Sequence, residues 1–355
     1  MSKFIQIHAL ATYPASNPNR DDTGRPKSVR FGNTERMRIS SQSLKRCWRT
    51  STVFNEKLGD SIGTRTRIKS GEFYNELKDG GINKQDAIEA TKAVFSRFGK
   101  MTKEPTKVDE GSQEKEKFPT EQLVHYSSTE IKEIDDLRDR IISTKELPTE
   151  DELNILRKDA RMADIAMFGR MFADAPSKGS EAAVQVAHAF TVNPVAIEDD
   201  FFTAVDDLNK HEEDAGAAHL GETGYGSGVF YLYICINRDL LKDNLTDENV
   251  QKKSLEALLT AALTVCPTGK SNSFAHHNYA QYALIEKGDN TPRSLASAFL
   301  NSITSIDLMT EAVDRLEKQR VHFDNAYGLC AESHSEMNVS AGKGNLRELL
   351  DFITS

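Results

Sequence analysis

The sequence predicts an α+β fold whose core runs β-α-β-β-α-β and is interrupted by two long insertions. Three observations predict it. Four segments, at 4–11, 182–192, 228–237 and 279–287, carry the apolar alternation or the short continuous apolar run of strands. With the insertions set aside, helical spacing appears once between the first and second of these segments and once between the third and fourth. The remaining stretches differ from this core in composition: roughly 60–180 is acidic and helical in pattern, and 193–227 is rich in glycine.

The elements follow in order. "FIQIHALA" (4–11) sets Ile5, Ile7 and Ala9 on one face and Gln6 and His8 on the other, the period of a strand. A loop rich in Asn, Pro, Gly and Arg comes next, and Ser40 and Ser41 then offer an N-cap before "QSLKRCWRTSTVF". Residues 72–98 read as helical, and 101–119 as a polar, charged linker. Helices fit 121–144 and 149–168, the second opening on Thr149 and Glu152 at capping-box spacing. "AAVQVAHAFTV" (182–192) alternates again, 193–227 reads as irregular, and "GVFYLYICIN" (228–237) is a strongly apolar strand. A helix fits 247–265, "YAQYALIEK" (279–287) returns to strand, and the tail from 293 reads as mostly helical. Without its insertions this order is the ferredoxin-like split βαβ arrangement, shared with the RNA-recognition fold.

Composition narrows the class. Cys47, Cys235, Cys266 and Cys330 form no CxxC pair, which suits reduced thiols better than a disulfide framework or a zinc site. The start "MSKFIQIHAL" is too short and mixed for a signal peptide, and no apolar run approaches a membrane span. A soluble cytoplasmic protein is expected, with no membrane partner. The net charge of −9 is unevenly spread. Residues 20–49 hold nine basic side chains against three acidic ones, a local +6 that leaves −15 for the rest. A basic field in an acidic protein points to an anion site, although a solvated basic surface accounts for the same composition.

"RMRISSQSLKRCWR" (36–49) concentrates that field. At about 100° per residue, Gln42, Lys45, Arg46 and Arg49 share one side of a helix, and Leu44, Cys47 and Trp48 share the other. The helix can bury its apolar stripe and present three cations and an amide outward, with a serine-flanked N-terminus that favours an anion. So many cations on one face exceed the needs of one small carboxylate and suit successive phosphates of a nucleic-acid strand.

Other motifs carry less. "CPTGKSNS" (266–273) contains Gly-Lys-Ser, but a P-loop needs glycine at position 264, which is Thr264, and a strand before it. A Gly-Lys turn touching one phosphate remains plausible at Lys270. His276 and His277 are adjacent and point apart, and no closely spaced His/Asp set supports a metal site. Asp21-Asp22 and Asp206-Asp207 offer carboxylates for Mg²⁺, yet paired loop aspartates are more often turn residues. Ser227 in "YGSGV" is not the G-x-S-x-G elbow, and no nucleophile–base set stands out.

"NRDDTGRPK", "RMRISSQSLKRCWR", "GRM", "AHAFTV", "FFTAVDDL", "AHLG", "SGVFYLY" and "NAYGL", in this order, resemble the CasC family, the crRNA-binding backbone subunits of the type I-E CRISPR Cascade complex. The resemblance runs from residue 4 to about 330 and implies a hand. A palm of RNA-recognition-like fold would comprise 1–59, 181–192 and 228–355, with a helical finger insertion at 60–180 and a thumb-like hairpin insertion at 193–227. It implies a non-catalytic subunit that polymerises with copies of itself, usually six, along one crRNA beside other Cascade subunits. The guide is thereby presented to target DNA. Guide-backbone contacts would fall on Arg20, Lys27, Ser40, Gln42, Lys45, Arg46 and Arg49, with Lys270 a weaker addition. The wedge around a displaced nucleotide would use Arg170 and Met171 of "GRM" and Phe201, Phe202 and Thr203 of "FFTAV". Relatives often carry tryptophan where Phe201 stands, so an indole N–H is lost here. Between 196 and 214 there are eight acidic residues and one lysine, so the thumb would act by shape rather than by attracting phosphates. No cofactor is implied. The alternative is a metal-dependent ribonuclease that cuts complementary RNA with Asp21 or Asp22, as related backbone subunits of other CRISPR types do.

Overall fold

The computed structural model describes residues 2–107, 116–156, 162–172, 178–204 and 219–355. The chain divides into two compact units. The first comprises Met1–Lys57, Val184–Arg238 and Leu255–Ser355; the second comprises Leu58–Ala183 and Asp239–Ser254.

The first unit is built on a mixed α/β plan around an antiparallel sheet. Its chain opens with β1 (Phe4–Ser16), β2 (Ser28–Phe31), β3 (Thr34–Ile39) and α1 (Ser41–Arg49). Along the sheet the strands run Ser333–Asn338, Ala280–Gly288, β1, His219–Asn237, Ala189–Thr191, β3 and β2, and Val184–Val186 and Glu198–Ala204 also pair with His219–Asn237. β1 is central and pairs on both sides: Ile7 stands opposite Ile234 and Ile285, and His8 opposite Tyr233 and Leu284. Both of its faces are buried, since Ile5, Ile7, Gln6, His8 and Leu10 are all within 2% of complete burial. The alternation that reads as half-exposed is therefore a sorting of apolar from polar burial.

On the polar face, His8 Nδ1 lies 2.9 Å from the Tyr231 hydroxyl and Nε2 lies 3.2 Å from Glu286. Arg293 clamps both Glu286 oxygens at 2.6 and 3.0 Å and reaches Asp324 at 3.3 Å. Burial alone would raise the Glu286 carboxyl, but the hydrogen bonds and charges of His8 and Arg293 outweigh it and hold it at about 2. Burial likewise pushes the His8 imidazole below its ordinary value despite Glu286. Beside this network, Leu10, Tyr231, Tyr282, Leu284, Phe299 and Leu316 form an apolar cluster under the helix Leu308–Tyr327.

Three segments depart from the sequence reading. The loop expected after the first strand contains the β2–β3 hairpin, closed by Gly32-Asn33 with Phe31 opposite Thr34 and Gly32 at φ +63°. The stretch read as irregular at 193–227 contributes the strand Glu198–Ala204, paired from Glu198–Tyr225 to Ala204–His219. The tail read as mostly helical contains the edge strand Ser333–Asn338.

In the second unit, the stretch read as helical at 72–98 forms two helices, Lys69–Asp79 and Lys84–Phe95, with Gly81 turning between them at φ +81°. Phe73, Tyr74, Phe95, Phe118, Tyr126 and Ile134 lead its core. The helix Ser128–Thr144 starts on a capping box of Ser127 and Glu130. Of the helix expected at 149–168, Ala163–Phe168 is helical, 150–155 forms turns and 157–161 lies outside the described residues. No helix among the described residues is long and apolar enough to cross a membrane.

Candidate nucleic-acid interface

α1 begins where the Ser40 hydroxyl accepts the Ser43 N–H, with Ser40 itself extended at φ −70°, ψ 146°. Leu44 and Trp48 are buried, and the half-buried Cys47 thiol donates to the Cys266 carbonyl at 3.0 Å. That contact ties α1 to the turn that carries Gly269 and Lys270. Gln42 and Arg46 are exposed on the other side, with Lys45 and Arg49 half-buried beside them. Burial lowers the Lys45 ammonium from its ordinary value. Arg46 and Arg49 also stand in the last turn, where the helix dipole favours a cation.

The loop between β1 and β2 is held against this helix by asparagines. Asn19 Oδ1 accepts the Ser40 N–H at 2.9 Å, and the Asn19 carbonyl accepts the Lys27 N–H at 2.8 Å. Asn17, fully buried, donates to the Gly24 carbonyl at 3.0 Å and the Gly224 carbonyl at 2.8 Å. Arg20 is thereby carried to a cavity of about 490 Å³, whose other walls include Ser43, Arg46, Thr50, Thr268 and Gly269. A Cβ on Gly269 would stand 2.5 Å from the Pro18 carbonyl oxygen, so this close approach requires glycine. Lys270 follows in the left-handed region at φ +54° and lines a second cavity of about 340 Å³ that also includes Arg20, Arg25, Asp199 and Glu222. Among the described residues, Arg20 and Arg46 form no ion pair.

The structure therefore brings together Arg20, Arg46 and the Gly269–Lys270 turn, with Gln42, Lys45 and Arg49 on the same helix. Lys27 is tied to the loop by its backbone. Ser40 is buried as a cap, so its hydroxyl is already engaged. Asn17 and Asn19 escaped the sequence reading, although Asn beside Pro in "SNPNR" is a loop-building signal.

The second proposed set separates. Met171 is 89% exposed, Phe201 66% and Phe202 41%, so none of these apolar side chains is core, and Thr203 is exposed as well. Phe202 stands opposite Gly221, where a Cβ would lie 2.3 Å from the ring, so this glycine seats the aromatic. Arg170 is different and leaves the set of surface contacts. It is buried, its guanidinium bonds Glu130 at 2.7 Å and the His125 carbonyl at 3.2 Å, and it stacks on Phe172 at 4.8 Å. A desolvated cation needs such a partner, and "GRM" read in one dimension gives no sign of it. Asp21 Oδ1 accepts the N–H groups of Thr23 and Arg25 and the Thr23 hydroxyl, an Asx turn that holds its carboxyl below the usual range. Asp206 and Asp207 lie outside the described residues.

Comparison with known proteins decides the family. A family model described as "CT1975-like protein" matches residues 5–350. The chain belongs to the CT1975-like family. Among solved structures it is similar to a chain of a "CRISPR RNA-guided surveillance complex, pre-nicking", at 30% identity and TM-score 0.80 over 99% of both chains. It is also similar to a chain of a "CRISPR RNA-guided surveillance complex", at 26% identity and TM-score 0.71 over 99% of both. A comparison with curated proteins found no match. The CT1975-like assignment and these structural matches agree with the resemblance to the CasC family.

Proposed function

We propose that this chain is a non-catalytic, guide-RNA-binding backbone subunit of a CRISPR surveillance complex, polymerising along the guide and presenting it to target DNA. Membership of the CT1975-like family and the two surveillance-complex matches support the setting. One observation carries the binding role: Arg20, Arg46 and Gly269 line one polar cavity beside the basic face of α1, and Arg20 and Lys270 line a second that shares Arg20 with it. Cations on a loop, a helix and a turn can follow successive phosphates, whereas a small anion would need only one of them.

In this reading the strands Ala280–Gly288, β1, His219–Asn237 and Ala189–Thr191, adjacent in that order, form an RNA-recognition-like palm. Residues 60–180 act as a finger and 193–227 as a thumb, whose Phe201, Phe202 and Thr203 wedge the guide with Met171 of a "GRM" segment. The partners are crRNA, other copies of this chain, further Cascade subunits and, through the guide, DNA, in the cytoplasm. The protein holds backbone shape, and base pairing reads the sequence of the bases presented to the target.

The test is recovery of RNA with the protein purified from its native host. Wild type should carry RNA of uniform length, and Arg20→Glu with Arg46→Glu should lose it while keeping a native circular dichroism spectrum. Full RNA recovery from the folded double variant would remove this site. Incubation with complementary RNA and Mg²⁺ tests the non-catalytic part: regularly spaced cleavage would overturn it.

A further inference from the structure

A separate concavity of about 470 Å³ is lined by Ser28, Val29, Phe31, Arg38, His188 and Phe190. Its aromatic members, Phe31 and Phe190, have ring centroids 4.9 Å apart and planes inclined by 53°. Phe190 is backed edge-on by Tyr231 at 5.9 Å, which fixes it against the core. The polar members are Arg38 and His188, with Arg38 Nη1 2.5 Å from His188 Nδ1. A guanidinium only donates, so His188 Nδ1 accepts and the imidazole proton sits on Nε2. Burial first, then the charges of Arg38 and Lys27, lower the His188 pKa and favour this neutral form.

The pocket thus combines aromatic surface with donors and positive charge. Arg38 has further N–H groups, His188 offers Nε2–H, and Lys27 adds its charge. Among the described residues no carboxylate lines it; Glu35 accepts the hydroxyl of the lining Ser28. Among the described residues, Arg38 has no carboxylate partner. Stacking surface with donors at its edge matches a planar ring bearing acceptors. Guanine and uracil have such edges, whereas adenine offers a donor amine at the corresponding position.

We propose that this pocket takes one nucleobase of the bound strand, guanine or uracil in preference to adenine, while Lys27 holds the adjoining phosphate. The inference rests on the guide-RNA reading and adds a base-binding subsite to it. An aromatic side chain of another protein would satisfy the Phe31 and Phe190 rings but leave the donors of Arg38 and His188 unmatched.

The experiment uses the full chain assembled on synthetic RNA with one 4-thiouridine placed at successive positions, followed by irradiation and mapping of the cross-linked peptides. Cross-links to the peptides carrying Val29 or His188–Phe190 should recur at particular positions. Val29→Trp, at a site 37% exposed on the end strand of the sheet, should fill the pocket and reduce those cross-links at least tenfold. Total bound RNA should change less than twofold. His188→Leu is a second variant at an exposed position and should abolish the preference for uridine and guanosine over adenosine in competition. Bound RNA with no cross-link to these peptides overturns the pocket alone, as does an undiminished cross-link in folded Val29→Trp. Occupation by another protein's aromatic side chain gives that first result. Wild-type protein that binds no RNA overturns the guide reading and this inference with it.

Discussion

Two charge-rich regions of the first unit are built on opposite principles. In the network His8–Glu286–Arg293–Asp324, the carboxylates are paired with cations and the group is largely removed from water. Around α1, the exposed Arg20 and Arg46 have no carboxylate partner among the described residues. Pairing buried charges prevents the large loss that an isolated one would impose. Leaving exposed cations without acids costs little in water and keeps a field available to a polyanion. The difference distinguishes charge that holds this fold from charge that faces a ligand. Arg170 and Met171 repeat the contrast in adjacent residues, the first paired inside the second unit and the second 89% exposed.

The sharpest way to break the comparison is to reverse charge on the outward side. Lys45→Glu with Arg49→Glu should weaken RNA binding by several kcal/mol, taking about 1.5–3 kcal/mol for each charge-assisted contact. The fold should survive, because the buried stripe of Leu44 and Trp48 is untouched. Filter binding alongside a thermal melt separates the two effects; unchanged affinity in a folded protein would contradict the assignment.

The inward side should respond in the opposite manner. Glu286→Ala leaves Arg293 without its bidentate partner and should cost roughly 3–5 kcal/mol of stability. Urea unfolding measures this loss, and RNA affinity per folded molecule should stay near wild type. A shift below about 1 kcal/mol would mean that Asp324 alone suffices for Arg293.

Acid sharpens the same comparison. Glu286 is held at about 2 in the fold against an ordinary 4.5, so its contribution is complete above 4.5 and is lost as pH falls toward 2. That contribution is at most about 3 kcal/mol. His8, held neutral below its ordinary 6.5, adds a loss of the same sign as pH falls below 6.5, because the unfolded chain takes up that proton first. Urea midpoints should fall between pH 6.5 and 3, and Glu286→Gln should flatten the lower part of the curve. Above pH 6.5 both contributions are complete, so RNA affinity between pH 8 and 6.5 should be level.

The sequence made the central strands legible because β1 and His219–Asn237 carry long apolar runs, and it made α1 legible because its two faces differ so sharply. It concealed the β2–β3 hairpin, whose charged residues include the exposed Arg30 and Glu35 and the fully buried Arg36, so that no clean alternation marks it, and whose strands meet at the Gly32-Asn33 turn. It concealed the pairing of His8 with Glu286 because those residues are 278 positions apart. The basic helix could be read locally, whereas the cavity needed Arg20, Gly269 and Lys270 to be assembled from three segments. Arg170 shows the reverse failure, since an arginine in a short motif carries no local sign of the glutamate, 40 residues earlier, that buries it.

The smallest expected effect on affinity belongs to the exposed apolar residues, and it tests whether exposure without charge also marks a ligand-facing side chain. Phe202 and Met171 lie on different units, so Phe202→Ala and Met171→Ala are made singly and together. Truncating buried side chains of this size would cost about 2–5 kcal/mol each, whereas exposed positions ordinarily stay within about 0.5 kcal/mol. The monomer should therefore melt almost as wild type. Stacking on one aromatic is worth about 1–3 kcal/mol per base, and thioether contact about 0.3–1.5 kcal/mol. Overall affinity, spread over the phosphate contacts of every subunit, should fall only slightly. The local geometry of the strand should change more: chemical probing of bound RNA should lose its periodic exposed nucleotides in the double variant. Gly221→Ala gives an independent handle, because a Cβ there collides with the Phe202 ring and must displace it. If the wedge is real, this variant should blur the probing pattern although Phe202 itself is intact. A pattern unchanged in all of these folded variants would leave the exposure of Phe202 and Met171 unrelated to RNA.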